Sequence, residues 1–496
     1  MIRIGEHNGR LAVALAALMA LAALTAMGVG SAGQPAQASA ERAEGHRPVQ
    51  VPDGPQRPSD CRDISPSQDL QQVIEEAGDS QALCLSAGRF TGNFHIDRPL
   101  TIWGPEEAIV ASPGEGSTFL ITADDVRLNG FTIAGSGDRY IKQDAGVFVS
   151  EASGVRLEGL TLRDVLFGIT SQQVDDLLVR GNRITCRTKR ALGMRGDGIR
   201  LWETRQSAIQ ANRMQDCRDL VVWYSPDNLI EGNRVTGGRY GTHFMYSSRN
   251  VVRHNEFVGN VVGIFVMYSR NLRIASNVLA DSGGSAGVGL GLKESGNLEI
   301  WDNKFIHDTV GVYVDTSPLD RDDHLLFAFN DFRLCDTAVR FHSSPRQNSF
   351  VANTFKDNLN LAQVDGGGHA RDIEWERNFY DVYGGYDLDE DGVGDVDFEL
   401  RSLSEQLEGR FPQLRLLEGT PALLLVEAAA RLAPMYPPKM LMSDSQPLMS
   451  AAAESEAAPS FGDIRQQLGM LEVIDVGGRV AVEPLSSEGE GRRPGY

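Results

Sequence analysis

The strings THFMYSSRN and GIFVMYSRN place Met245 and Met267 22 residues apart, with His243 two residues before the first. One imidazole and two thioethers form a soft, neutral donor set that suits Cu(I), whereas Ca²⁺ and Mg²⁺ prefer oxygen. Trp202 and Trp223 precede them at comparable spacing and would shield one side. The same Met and Trp residues would also form an apolar patch on which another protein or a loop packs, and both readings stand. Farther along, Lys293 and Asp315 are spaced to pair, and Arg340, His342 and Asp365 gather beyond them. Outward Asp, His and Arg serve either acid/base chemistry on an acidic sugar polymer or a surface ion-pair strip. The strip is the preferred reading, because exposed charges commonly pair without function. A third group lies in YDLDEDGVGD, where Asp387, Asp389 and Asp391 alternate ahead of Gly392 and Asp395 follows. This resembles half of a calcium-binding EF-hand loop. Phe398 stands where the bidentate Glu belongs, so an acidic Asx turn is the alternative.

These residues meet only if a regular element brings their repeats into register. From about residue 90 to 380, short apolar segments end in Gly or Asn followed by another apolar residue, as in VRLNGFTI, NLIEGNRV and NLEIWDNKF. The markers are Gly130, Gly159, Asn182, Asn212, Asn233, Asn255, Asn277, Asn303, Asn330, Asn353 and Asn378, one per turn. Alternating strands, frequent turn residues and no helical period specify an all-β solenoid, a right-handed parallel β-helix. The nine asparagines are expected to stack as an amide ladder. Along the second strand of each unit, Ile199/Leu201, Leu220/Val222 and Ile264/Val266 face the interior, and His243, Met245 and Met267 take the outward parity.

Composition bounds the partners. With 67 acidic against 47 basic residues the net charge is −20, which argues against a nucleic acid partner. Arg3 and Arg10, an apolar run from Leu11 to Gly30 and Ala38-Ser39-Ala40 give residues 1–40 the pattern of a Sec-type signal peptide cleaved after Ala40, with an uncleaved anchor as the alternative because the run is long for a signal core. A linker over 41–60 then precedes the solenoid of 61–400 with its N-terminal cap. Residues 401–450 form a partly helical docking segment, and 451–496 an acidic, disordered tail. Export permits disulfides, for which Cys61 with Cys84 and Cys186 with Cys217 are within reach, leaving Cys335 a buried thiol.

GRYGTHFMYSSRN, GIFVMYSRN, GVGLGLKESGN and GVYVDTSP together resemble the NosD family of nitrous oxide reductase maturation proteins, β-helices of the carbohydrate-active (CASH) type. The likeness runs from Cys61 to SDSQPLM at 443–449. It implies a periplasmic, non-enzymatic protein of denitrification that handles copper(I) transiently during copper-sulfide centre assembly. The implied partners are an ABC transporter's ATPase and permease, a lipoprotein copper chaperone and the reductase, with membrane association through the transporter. On this reading Trp202, Trp223, Lys293, Asp315, Arg340 and His342 dock partners. The rival is a polysaccharide lyase or epimerase acting through Asp315, His342 and Arg340.

Overall fold

The computed structural model describes residues 54–342, 347–366, 368–403 and 438–452, with shorter stretches between 407 and 432 and between 458 and 481. The expected signal peptide and most of the expected linker and tail lie outside the described residues. Short strands wind into three parallel sheets, each turn supplying one strand to each sheet. The first sheet has 14 strands, from Arg62–Ile64 to Glu374–Glu376. The second has 13, from Gly88–Thr91 to Phe379–Tyr380, and the third has 12, from Phe94–Ile96 to Asn360–Val364. Three turns at Arg62–Ile64, Gln81–Leu85 and Leu100–Trp103 precede the first marker, so counting markers misses them.

The asparagine column forms the spine. Asn255 shows the pattern: its backbone N–H and its Nδ2 both donate to Asn277 Oδ1 at 3.0 Å, and Nδ2 also reaches Ile230 O at 2.9 Å. Nδ2-to-Oδ1 bonds of 2.9–3.0 Å link every step from Asn182 to Asn378. Gly130 and Gly159 do not belong to this column. Gly159 is in register with Gly181, one residue ahead of Asn182, and Leu160 N–H donates to Asn182 Oδ1 at 2.8 Å. That preceding position is left-handed in every ladder turn, with φ between 51° and 66°, although only Gly181 and Gly232 are glycines. A β-carbon there is strained, and the buried amide network holds the turn against it.

Both ends are closed. At the N-terminal end the helix Leu70–Glu76 starts at Asp69, whose carboxylate accepts from the N–H groups of Gln71 and Gln72, and it buries Leu70, Val73 and Ile74. At the other end Phe398–Ser402 pairs antiparallel with Lys439–Asp444. This hairpin continues two internal columns. Phe398 stacks on Tyr380 at 4.0 Å, extending the series Phe305, Phe332, Phe355 and Tyr380. Asp444 Oδ2 accepts from both the backbone N–H and Nδ2 of Asn378 at 3.0 Å, and from Tyr380 at 3.2 Å. A buried carboxylate thus ends the amide ladder.

Disulfides join Cys61 to Cys84 and Cys186 to Cys217, with Cα atoms 5.8 and 4.9 Å apart, and Cys335 is a buried thiol.

Candidate metal centre

The third sheet positions the soft donors. Trp202, Trp223, Met245, Met267, Lys293 and Asp315 occupy one register column, and Arg200, Val221, His243, Phe265, Gly291 and Tyr313 the column two residues earlier. Met245 and Met267 are therefore lateral neighbours at the inter-strand spacing of roughly 4.8 Å. The tripeptide repeated here has a structural logic. In Met-Tyr-Ser the Met points outward, the Tyr takes a left-handed turn with φ near 50°, and the Ser is buried. Ser247 Oγ accepts from Ser225 N–H and Ser269 Oγ from Ser247 N–H, at 3.0 and 2.9 Å.

His243 Nε2 lies 3.4 Å from Met267 Sδ, and the Trp223 indole N–H donates to His243 Nδ1 at 3.3 Å. Tyr240 meets the imidazole edge-on at 4.9 Å and Phe265 lies 6.0 Å away. Loss of hydration carries the His243 pKa down to about 4, with Asp219 opposing the shift and Arg239, Arg218 and Arg200 adding to it. The imidazole is neutral at physiological pH, which suits a metal donor.

The outward parity did not leave these residues exposed, as the sequence suggested. His243 is 6% accessible, Arg200 7% and Val221 fully buried. The cause is a charged and aromatic shell. Arg200 sits over the Trp223 and Trp202 rings at 4.7 and 5.4 Å and pairs with buried Asp197 at 3.1 Å. Arg218 also pairs with Asp197, at 2.7 Å, and stacks its guanidinium 5.6 Å from the Tyr140 ring, while Arg239 pairs with buried Asp219. Trp202 and Trp223 do flank the methionines, with ring centroids 6.0 Å apart.

Sequence reasoning missed a tyrosine stack beside the methionines. Tyr224, Tyr246 and Tyr268 lie with centroids 5.3 and 4.9 Å apart and planes within 12° of parallel. The signal was present, since a Tyr-Ser pair follows Trp223, Met245 and Met267 alike. Nor did spacing alone expose the Asp197–Arg200–Arg218 cluster, in which Arg218 joins the other two from the next turn.

The remaining candidate residues fall into pairs. Lys293 meets Asp315 at 3.5 Å, while Asp365 takes Arg340 at 2.8 Å and His342 at 3.4 Å. In the acidic loop the ligand oxygens of Asp387, Asp389 and Asp395 lie within 4.8 Å of one another, and Asp391 does not join them. Asp387 accepts from the Asp391 and Gly392 N–H groups, Asp391 from Val393 and Asp395 from Leu388, as in a capped turn. Met442, at the C-terminal hairpin, is buried in the core.

The chain is thus a repeat protein, a parallel β-helix that carries an imidazole and two thioethers together on one sheet. The family described as "Periplasmic copper-binding protein (NosD)" matches residues 181–385, the span that holds the whole asparagine ladder. A Pseudomonas aeruginosa protein named "Probable ABC transporter binding protein NosD" is 29% identical over 384 residues, covering 74% of this chain and 88% of that protein. One of the same name from Stutzerimonas stutzeri is 27% identical, covering 75% and 87%. A shorter Pseudomonas aeruginosa sequence is 32% identical over 77 residues, 70% of its length. The chain belongs to the NosD family. Similar solved structures include an Erwinia carotovora polygalacturonase (12% identity, TM-score 0.41, covering 66% of this chain and 98% of that one). Another is an α-1,3-glucanase catalytic domain (12% identity, TM-score 0.49, covering 67% and 71%).

Proposed function

We propose that this protein is a non-enzymatic accessory factor for nitrous oxide reductase maturation, which shelters Cu(I) at His243, Met245 and Met267 and hands it on. The observation that carries this reading is the 3.4 Å approach of His243 Nε2 to Met267 Sδ, with Met245 one strand away in register. Thioethers and a neutral imidazole bind Cu(I) without a thiolate's proton release, so the cargo is held reversibly. The paired Lys293, Asp315, Arg340 and His342 then orient a protein partner rather than act on sugar, because each side chain is already engaged, Lys293 with Asp315 and both Arg340 and His342 with Asp365.

The transporter contact belongs to the excursion between the hairpin strands. Ser402 pairs with Lys439, and the chain between them carries the helix Pro421–Leu432, on which Leu425 and Val426 are exposed. The names of the relatives, probable ABC transporter binding proteins, support a transporter partner. The docking surface is therefore this excursion, whereas the flanking strands close the solenoid.

Cu(I) affinity, measured by competition with a chromophoric chelator under reducing conditions, tests the site. Met245→Leu/Met267→Leu keeps core volume and removes both sulfurs. One Cu(I) per wild-type chain and at least a hundredfold weaker binding by the double variant are expected. Equal affinity in the two proteins would place the copper elsewhere.

A further inference from the structure

The hydrogen bonds around His243 describe a histidine whose two nitrogens are both engaged. An indole N–H can only donate, so Nδ1, 3.3 Å from Trp223 Nε1, is the acceptor. The ring proton of the neutral imidazole is then on Nε2, where it points at Met267 Sδ, 3.4 Å away. Neither nitrogen offers a lone pair to a metal. Histidines that ligate metals have the opposite arrangement, the second nitrogen donating its own N–H to an acceptor. Binding at Nε2 requires the proton to move to Nδ1, which would face it against the Trp223 N–H. Binding at Nδ1 requires the indole to vacate that position. Both routes displace the same group.

We propose that Trp223 is the gate of the metal centre: the site as folded is closed, and uptake of a soft monovalent cation requires the Trp223 indole N–H to leave His243 Nδ1. This rests on the reading of His243, Met245 and Met267 as the copper site. The surroundings suit a hinged ring. Trp223 is held at its faces and edges by the Arg200 guanidinium at 4.7 Å, Trp202 at 6.0 Å and His243 at 5.4 Å, and it is only partly buried, so it can swing outward without opening the solenoid core. Release also frees Arg200 on one side. A partner that takes up the Trp223 ring, or pairs with Arg200, would thereby open the site, which makes loading responsive to docking.

The test uses the full mature protein with Cu(I) under reducing conditions. In ¹H–¹⁵N spectra of ¹⁵N-labelled protein, the Trp223 indole cross-peak, assigned by its loss in Trp223→Phe, should shift or vanish in step with copper binding. Trp223→Phe keeps an aromatic ring but has no donor. Its Cu(I) affinity should rise roughly five- to tenfold, the gain from a hydrogen bond no longer broken on loading. An unmoved cross-peak at saturating Cu(I), or affinity in Trp223→Phe equal to or below wild type, would overturn the gate. If copper still binds in a Met245- and Met267-dependent way, the metal site survives that result. If wild type binds no Cu(I), both fall.

Discussion

His243 has a packing role beside the metal-binding role proposed for it. It is nearly buried among Trp223, Tyr240 and Phe265, so it contributes to stability although its parity is outward. Replacing it by Ala should cost about 2–3 kcal/mol, from the cavity and from an unpartnered Trp223 N–H, read as a lower midpoint in denaturant. Elsewhere a buried carboxyl offers a sharper test. Asp308 Oδ1 accepts from Ser282 N–H at 2.8 Å, and desolvation raises its pKa well above the usual carboxylate range. A raised acid binds its proton in the folded chain and loses it in the unfolded one, so stability falls as pH rises above about 4. Asn260 and Asn358 hold comparable corners, donating to Val235 O and Phe332 O. Asp308→Asn should therefore stabilise the protein by about 1–2 kcal/mol at neutral pH and leave little effect at pH 4. Thermal unfolding at the two pH values checks it. The positions of Met245 and Met267 were legible from a 22-residue spacing, because parallel register copies sequence offset into space. The burial of His243 was not, since it depends on Trp223 and Phe265 from the neighbouring turns and on Tyr240.

At the level of elements, stability resides in ladders more than in single strands of two to six residues. Asn255→Ala would strip the acceptor from the N–H and Nδ2 of Asn233 deep inside the solenoid. A loss of about 3 kcal/mol or more is expected in equilibrium unfolding, against near zero for an exposed strand residue. Asp444 is the informative end. Asp444→Ala leaves three donors on Asn378 and Tyr380 without their acceptor and should cost about 2–4 kcal/mol, whereas Asp444→Asn retains an oxygen and should cost about 1 kcal/mol or less. Equal loss in the two variants would show that Asp444 acts through its charge. The nine asparagines announced their column in the sequence, each following a strand and a left-handed residue. Nothing local announced Asp444, which reaches Asn378 across 66 residues. Its strand reads as a proline-flanked methionine segment until its pairing with Phe398–Ser402 is seen.

Among the described residues, the solenoid is capped at both ends. The N-terminal helix and the C-terminal hairpin protect the open edges of the sheets, a need common to all solenoids. A chain ending at residue 400 would lose Asp444 and half of the hairpin, and reduced transporter binding by it would report unfolding as readily as lost contact. The discriminating variant replaces residues 403–438 by a two-residue Asn-Gly turn between the paired Ser402 and Lys439. It should keep the wild-type circular dichroism spectrum and Cu(I) affinity while co-purification with the transporter falls to background. Transporter binding at the wild-type level would remove the excursion from the docking surface. The solenoid and the alternation of its strands were readable because a repeat converts sequence spacing directly into neighbours; the C-terminal hairpin was not, because it breaks the repeat. The location of bound Cu(I) decides whether the proposed centre exists. Cu(I) is diamagnetic, so the ε-methyl groups of ¹³C-labelled methionines can be followed during titration. The Met245 and Met267 signals should shift together and saturate at one equivalent, with Met214, Met440, Met442 and Met449 unmoved. Shifts confined to Met440 and Met449, or no methionine shift while copper is bound, would contradict a His243, Met245 and Met267 centre.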